Sequence, residues 1–491
     1  MNQSDLYEEE LKKKKWRDLK QAVAASIQSA DKPSSMTIEQ VLLNVKNNTF
    51  DTLLSQQNIQ TEEDKQKYQA KGYYAVITES TLKETFPKVD PSCIFYTPSI
   101  SNGAIYFNPK TLAVCPFHIE IYMGGLSKDI EGFYKAVEKR EEEVKDKNFF
   151  GSTLTLPDAM RLQYFEYLVD TYEDIPNLYH LFFSIYQNSD YGFTNLKPEV
   201  LQVILSSKTE KEHKQTQDML KPYPDMLTVY RGGSCDISAP PDKGYSWSTD
   251  KNTANFFATR RGFNSAYIAT ATIPKDRVIE AFLDNEEQEI IVDPKDILPQ
   301  DVTILKGIKD CEKILPEIAP MYHKYKDLME TLDFAQSSSL HGKQHEGRVL
   351  LHCLTLAYLL NLSKSDIKTL ATAAVYHDTQ RTHDYEDACH GAASAAYYRD
   401  TVKSPDPIVD FLITYHCLPD EEAYQHIRET RVLSKNRTKT IQLFNIFKDA
   451  DALDRLRLSG GIRELDVNQL REPISLSLTL LARIYLENVE L

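Results

Sequence analysis

Eight of the twelve histidines in this 491-residue chain fall between residues 341 and 426: His341, His345, His352, His377, His383, His390, His416 and His426. His377 is followed directly by Asp378, and aspartates recur in Phe447-Lys448-Asp449-Ala450-Asp451-Ala452-Leu453-Asp454-Arg455. Imidazoles and carboxylates together make a donor set for a divalent cation. One helix face supplies only two or so such groups, so a centre needs side chains converging from several helices. His345, the His377-Asp378 pair and an aspartate of the 447–455 segment form such a set in chain order. A second group is acidic, Asp284-Asn285-Glu286-Glu287-Gln288-Glu289-Ile290-Ile291-Val292. Glu287 and Glu289 are two apart and share one face if both lie on a strand. Carboxylates so paired suit chemistry that builds positive charge on a sugar.

Several kinds of element must position these groups. Leu227-Thr228-Val229-Tyr230-Arg231-Gly232-Gly233 reads as a strand carrying an arginine into a glycine turn. Tyr245-Ser246-Trp247-Ser248-Thr249-Asp250 alternates into a helix over 253–261, with Thr249 or Asp250 as its N-cap. Residues 266–274 and 278–279 are further strands before the acidic one. Beyond 306 the pattern is helical, and Leu370–Tyr376 is an apolar run leading into His377. Earlier in the chain, residues 1 to about 70 read as charged helix, with a capping box at Thr37 and Gln40. Short β-rich runs follow at 73–77, 93–96, 104–107 and 119–122, and then a charged helix at 131–147. Residues 155–220 are helical, and Tyr164, Phe165, Tyr167, Tyr172, Phe182 and Phe183 form an aromatic core stripe.

Composition bounds the rest. Formal charge is −15, which argues against general nucleic-acid or anionic-membrane binding. Seven scattered cysteines without a Cys-x-x-Cys read as reduced thiols. No apolar run is long enough to span a bilayer. The charged first residues lack a secretory pattern, so the expected location is cytoplasmic, or the cytosol of a host or target cell after translocation.

Arg231, then Ser248-Thr249, then Glu287-Gln288-Glu289 resemble, in that order, the Arg–Ser–Glu class of mono-ADP-ribosyltransferases. The resemblance covers about residues 150–300, with the preceding helices standing for that family's helical lobe. It implies NAD as co-substrate, Glu289 stabilising the ribose cation, Ser248 orienting it, and Arg231 pairing with a cofactor phosphate or ribose. It implies Glu287 beside a protein acceptor, arginine favoured. Gly232, Thr249 and Phe257 complete the cofactor-contacting set, although Phe256 and Phe257 also read simply as helix-on-sheet packing.

Residues 335–480, through His345 in His341-Gly342-x-x-His345-x-x-Arg348, His377-Asp378 and the aspartate element, resemble the HD-domain metal-dependent phosphohydrolases. The ligands so implied are His345, His377, Asp378 and Asp449, the last because it opens the Asp-Ala-Asp-x-Leu-Asp element. His390 and His416 stand where some members hold a second metal or a substrate phosphate. The ion would be Mn, Fe, Mg, Co or Ni, and the substrate a phosphorylated, nucleotide-like small molecule. Arg381 and Lys448 are candidate phosphate contacts, Arg381 reading rather as exposed surface.

The expected fold is multidomain α+β: an N-terminal α+β region (1–145), a β-rich ADP-ribosyltransferase-like domain with a helical lobe (146–305), and an all-α HD-type domain (306–491). The expected function is bifunctional, NAD-dependent mono-ADP-ribosylation plus metal-dependent phosphoester hydrolysis, as in a toxin or effector. The alternatives are a nucleotide phosphohydrolase with a degenerate NAD-binding module, and a multidomain adaptor.

Overall fold

The computed structural model describes residues 54–488 except 74–75, 86–89, 97–102, 109–112, 119–138, 140–141, 155–160, 173, 190–195, 236–239, 261, 263, 338, 386 and 459. The helix and capping box expected before residue 54, the strand at 119–122 and most of the helix at 131–147 lie outside the described residues. The fold is mixed α and β. Its described residues divide into two compact units, one within 54–223 with 244–246, the other within 224–243 and 247–488.

The first unit carries a four-stranded antiparallel sheet in the order β1 (Leu54–Ser55), β2 (Ile94–Tyr96), β3 (Gly103–Asn108), β4 (Ala113–His118). Helix α1 (Glu62–Gln69) starts from a Thr61/Asp64 capping box. It ends at Gly72 (φ 92°), with Gly72 N–H donating to Gln69 O and Tyr73 N–H to Tyr68 O. Those two bonds are a Schellman closure, and they occupy the start of the strand expected at 73–77, whose described residues are irregular. Helices α2 (Phe149–Leu154), α3 (Arg161–Thr171), α4 (Leu178–Tyr186), α5 (Pro198–Ser206) and α6 (Glu210–Leu220) follow. Phe165, Phe182 and Phe183 are core as expected, whereas Tyr172 is 40% exposed and rests against Phe149. The side chains of Tyr164 and Tyr167 fall outside the described set.

The second unit contains a six-stranded sheet in the order β10-β7-β5-β6-β9-β8. Its strands are β5 (Met226–Ser234), β6 (Ser246–Ser248), β7 (Ala266–Pro274), β8 (Val278–Phe282), β9 (Glu289–Val292) and β10 (Asp301–Ile304), with helix α7 (Lys251–Thr259) between β6 and β7. Pairs β10–β7, β7–β5, β5–β6 and β9–β8 are antiparallel. The expected turn at Gly232-Gly233 is instead continuous strand, paired to Ile268 and Tyr267 of β7. Gly232 is required by proximity, since a Cβ there would stand 1.7 Å from the Ala254 carbonyl oxygen of α7.

Helices α8 (Ile308–Glu330), α9 (Lys343–Leu359), α10 (Lys364–Tyr376), α11 (His390–Thr401), α12 (Pro407–Tyr415), α13 (Asp420–Glu429), α14 (Arg437–Leu453) and α15 (Thr479–Asn488) complete this unit. Every residue of α9 from His345 to Ala357 is buried, which marks it as the central helix of the bundle. Sheet and bundle share one core: Ala254, Ala258, Ala266, Ile268 and Leu305 lie in the same buried cluster as Leu350, Leu354 and Tyr485. Asn252 of α7 donates to Asp466 and accepts from Val467 N–H, and Arg483 of α15 donates to Thr259 O. Helices α2–α6 group with the N-terminal sheet, and β5–β10 group with the bundle, because the Ala-rich contact surface of the sheet is apolar enough to merge with the helical core.

Gly232→Ala should overpack the β5–α7 contact and cost about 1–3 kcal/mol, read as a lowered midpoint in chemical denaturation. A pH effect comes from His352, 2% exposed and against the Tyr485 ring at 5.6 Å. Burial pushes its imidazole from the ordinary 6.5 down to about 4. The unfolded chain therefore binds more protons between those values, and stability falls as pH drops from 6.5 to 4, by up to about 3 kcal/mol for this group. Melting of His352→Leu should depend less on pH across that window than melting of wild type.

Candidate functional site

Five helices bring their ends to one point. His345 lies in the first turn of α9, His377-Asp378 follow the end of α10, His390 opens α11, His416 follows α12, and Asp451 and Asp454 stand at the end of α14. All but Asp451 are buried, Asp378 at 3% exposure. Gly391 explains how α11 comes so near α12: a Cβ there would stand 2.7 Å from the Ile413 and Thr414 carbonyl oxygens. That approach places His390 Nε2 2.9 Å from His416 Nε2.

The rings are locked from behind. His345 Nδ1 meets Asp454 Oδ2 at 2.7 Å, His377 Nδ1 meets Ala374 O at 2.9 Å, His416 Nδ1 meets Ile413 O at 2.7 Å, and His390 Nδ1 meets Asp387 O. Carbonyl and carboxylate oxygens only accept, so each Nδ1 carries the hydrogen. With its Nδ1 hydrogen so engaged, each ring turns Nε2 forward, the arrangement by which outer partners prepare histidine ligands. His345 Nε2 and His377 Nε2 face each other at 3.2 Å. Burial pushes His377 down to about 3, so its ring is neutral. Burial opposes protonation of His345, but Asp451 and Asp454 hold it above its ordinary value, so a proton on His345 Nε2 or a cation stands between the two rings.

The carboxylates complete the set. Asp451 Oδ1 is 3.3 Å from His345 Nε2 and 4.0 Å from His377 Nε2, and Asp378 Oδ2 is 3.7 Å from His345 Nε2. Asp378 Oδ1 lies 3.0 and 3.3 Å from His390 and His416 Nε2, yet no hydrogen bond of good geometry reaches this buried atom. Burial opposes ionisation of Asp378, but His377, His341, His390 and His416 around it hold its carboxyl well below the ordinary range. Its N–H donates to Glu346 Oε1 at 3.0 Å, and burial pushes the Glu346 carboxyl well above its ordinary value. An ionised carboxylate with an orphaned oxygen among inward-facing imidazoles fits a divalent cation. The separations of about 3–4 Å suit donors held roughly 2.0–2.2 Å from a metal.

Of the ligands expected, His345, His377 and Asp378 meet here, as do His390 and His416. Asp449 does not. Its carboxylate accepts from Arg471 N–H, Arg471 Nη1 and Glu472 N–H, so it anchors the 471–472 turn. The reason is helical phase. Residues two apart on a helix face away from each other, whereas Asp451 and Asp454, three apart, share a face. Asp451 reaches His345 Nε2 while Asp454 holds His345 Nδ1 and pairs with Arg348. That i,i+3 spacing was in the sequence and would have selected Asp451. Lys448 is likewise engaged elsewhere, on Leu418 O and Asp420. Arg381, read as surface, lies at the site edge, 3.8 Å from Asp378 and 3.4 Å from His390 Nε2. His341, which no sequence motif assigns as a ligand, also reaches the site: its Nδ1 is 3.1 Å from Asp378 Oδ2 and 3.0 Å from Arg457 Nη2.

In the sheet, Arg231, Ser248 and Glu289 lie on the neighbouring strands β5, β6 and β9. Strand β9 begins at Glu289, while Glu287 sits in the preceding turn behind Gln288 (φ 44°), so the two carboxylates do not share a strand face. Ser248 donates to Glu287 O at 2.7 Å and accepts from Asp250 N–H at 2.9 Å, so it binds the turn that precedes Glu289. Thr249 also holds the turn, through its N–H to Gln288 O. Asp250 is the N-cap of α7. Arg231 hydrogen-bonds Tyr267. Gly232 serves the α7 contact, and Phe257 is half-buried under the Arg260 guanidinium.

Asp451→Asn should lose the ion at His345 and His377, whereas Asp449→Asn should keep it and lose stability, about 1–3 kcal/mol. Asp454→Asn should weaken metal affinity about 10–100-fold. Elemental analysis after equilibrium dialysis distinguishes the three. Searches against protein-family models, curated proteins and solved structures returned no match for this chain.

Proposed function

We propose that this protein is a bifunctional enzyme: a metal-dependent phosphohydrolase in its helical bundle, and an NAD-dependent mono-ADP-ribosyltransferase on the β5–β6–β9 edge. The observation that carries the first reading is the convergence of three Nε2 atoms, of His345, His390 and His416, on the buried Asp378 carboxylate. His345, His377, Asp378 and Asp451 would hold one ion; Asp378, His390 and His416 would face a second. Such ions supply water activation and neutralise charge at a phosphorus centre. The chain's own part is positioning. Arg381 and Arg457 present guanidinium groups at the edge of the site, where planar forks pair with phosphate oxygens. His341, less buried than the inner rings and in contact with Asp378 and Arg457, stands where it can pass a proton to a leaving oxygen. Burial holds His341 below its ordinary value, although Asp378 opposes this. The substrate class is a phosphodiester or pyrophosphate of a nucleotide-like molecule.

The second reading rests on the three adjacent strands. Glu289, 8% exposed at the start of β9, would stabilise the ribose cation, and Arg231 would pair with a phosphate or ribose. Ser248 would act through the turn it binds, placing Glu287 beside a protein arginine.

Chromogenic phosphodiester and ADP-ribose hydrolysis should fall by at least about a hundredfold in Asp378→Ala, with the ion lost from the protein. Unchanged hydrolysis would sink the phosphohydrolase reading. Incubation with labelled NAD and cell protein should label acceptors in wild type and not in Glu289→Ala. Labelling that persists in the variant would remove Glu289 from the role given to it.

A further inference from the structure

We infer that Cys417 is a thiolate ligand, with His390 and His416, of the second cation site, and that this sulfur makes the site selective for a thiophilic ion such as Zn2+ or Fe2+ over Mg2+ or Mn2+. This rests on the bundle being a metal centre and adds to it which residue closes the second position and which class of ion enters.

Cys417 directly follows His416 past the end of α12, and one donor atom from each of His390, His416 and Cys417 lies within 4.8 Å of the others. The sulfur reaches this point because residue 391 is glycine: a Cβ there would stand 3.0 Å from Cys417 Sγ, on the same side as the α12 carbonyls it would strike. The thiol lies 3.6 Å from Ala388 O and also meets the His390 side chain and the Gly391 backbone. The second observation is independent of the cysteine: Asp378 Oδ1, buried and without a well-formed hydrogen bond, stands 3.0 Å from His390 Nε2 and 3.3 Å from His416 Nε2. By contrast, the first position is built from His345, His377, Asp378 and Asp451, all nitrogen and oxygen donors. Softness of ligand separates the two positions, because sulfur favours Zn2+, Fe2+ and Co2+ while carboxylate-rich sets accept Mg2+ and Mn2+. On binding, the Cys417 thiol releases its proton to solvent as the S–metal bond forms, so loading is pH-dependent and needs no oxidant.

Cobalt titration of the chelator-stripped full chain tests this. Wild type should develop a near-ultraviolet thiolate-to-cobalt charge-transfer band together with visible ligand-field bands. Cys417→Ser and Cys417→Ala should lose the charge-transfer band and keep ligand-field absorption from the first position. Zn2+ should bind at the second position at least about tenfold more weakly in either variant, with circular dichroism confirming the fold. Ligand-field bands without a charge-transfer band in wild type would overturn the assignment of Cys417 and leave the metal centre standing. Absence of any cobalt binding in folded wild type would overturn both.

Discussion

A buried, ionised carboxylate surrounded by imidazoles governs this structure. Asp378 sits between two pairs of histidines, each pair with its ring nitrogens turned inward at 2.9–3.2 Å. A charge taken out of water needs close compensation, and breaking such an arrangement leaves an uncompensated ion in a low-dielectric interior. Each surrounding feature answers that need. Backbone carbonyls fix three rings, Asp454 fixes the fourth, Arg348 neutralises Asp454, and the Asp378 N–H is taken up by Glu346. The helices α9 to α12 are arranged so that their ends, rather than their sides, supply these groups.

The same core that buries Asp378 also carries the β5–β10 sheet. The segment from Asp454 to Glu472 holds several parts of this unit together. Arg457 touches His341, Asp466 and Val467 grip Asn252 of α7, and Arg471 joins Asp449 to Asp420. Asp449, dispensable as a ligand, is thus needed to close the turn that runs back toward the sheet. A contact of this kind explains why two stretches with separate chemical signatures fold as one body.

Much of this was legible along the chain. The apolar run at 370–376 marked α10, β-rich runs marked β5, β7 and β9, and the order of histidines and aspartates marked the centre. Misplacements came from short-range ambiguity. Tyr73 looked like a strand start but serves to end α1. Gly232-Gly233 looked like a turn but is a strand made thin enough for α7. Glu287 and Glu289 looked like one strand face, yet a left-handed Gln288 parts them. In each case a glycine or polar residue has two local uses, and packing selects between them.

By itself the sequence determined the donor chemistry, because residue type and order fix which groups can bind a cation or stabilise a sugar cation. It also contained the helical phase that sets Asp451 and Asp454 apart from Asp449. Only the tertiary structure decided convergence: that His390 and His416 turn toward Asp378, that Cys417 stands beside them, and that Ser248 holds Glu287's turn. Those facts depend on where helix ends and strand edges meet through contacts far apart in the chain. A closest approach set by the absence of a Cβ at Gly391 or Gly232 becomes visible only when the facing backbone is known.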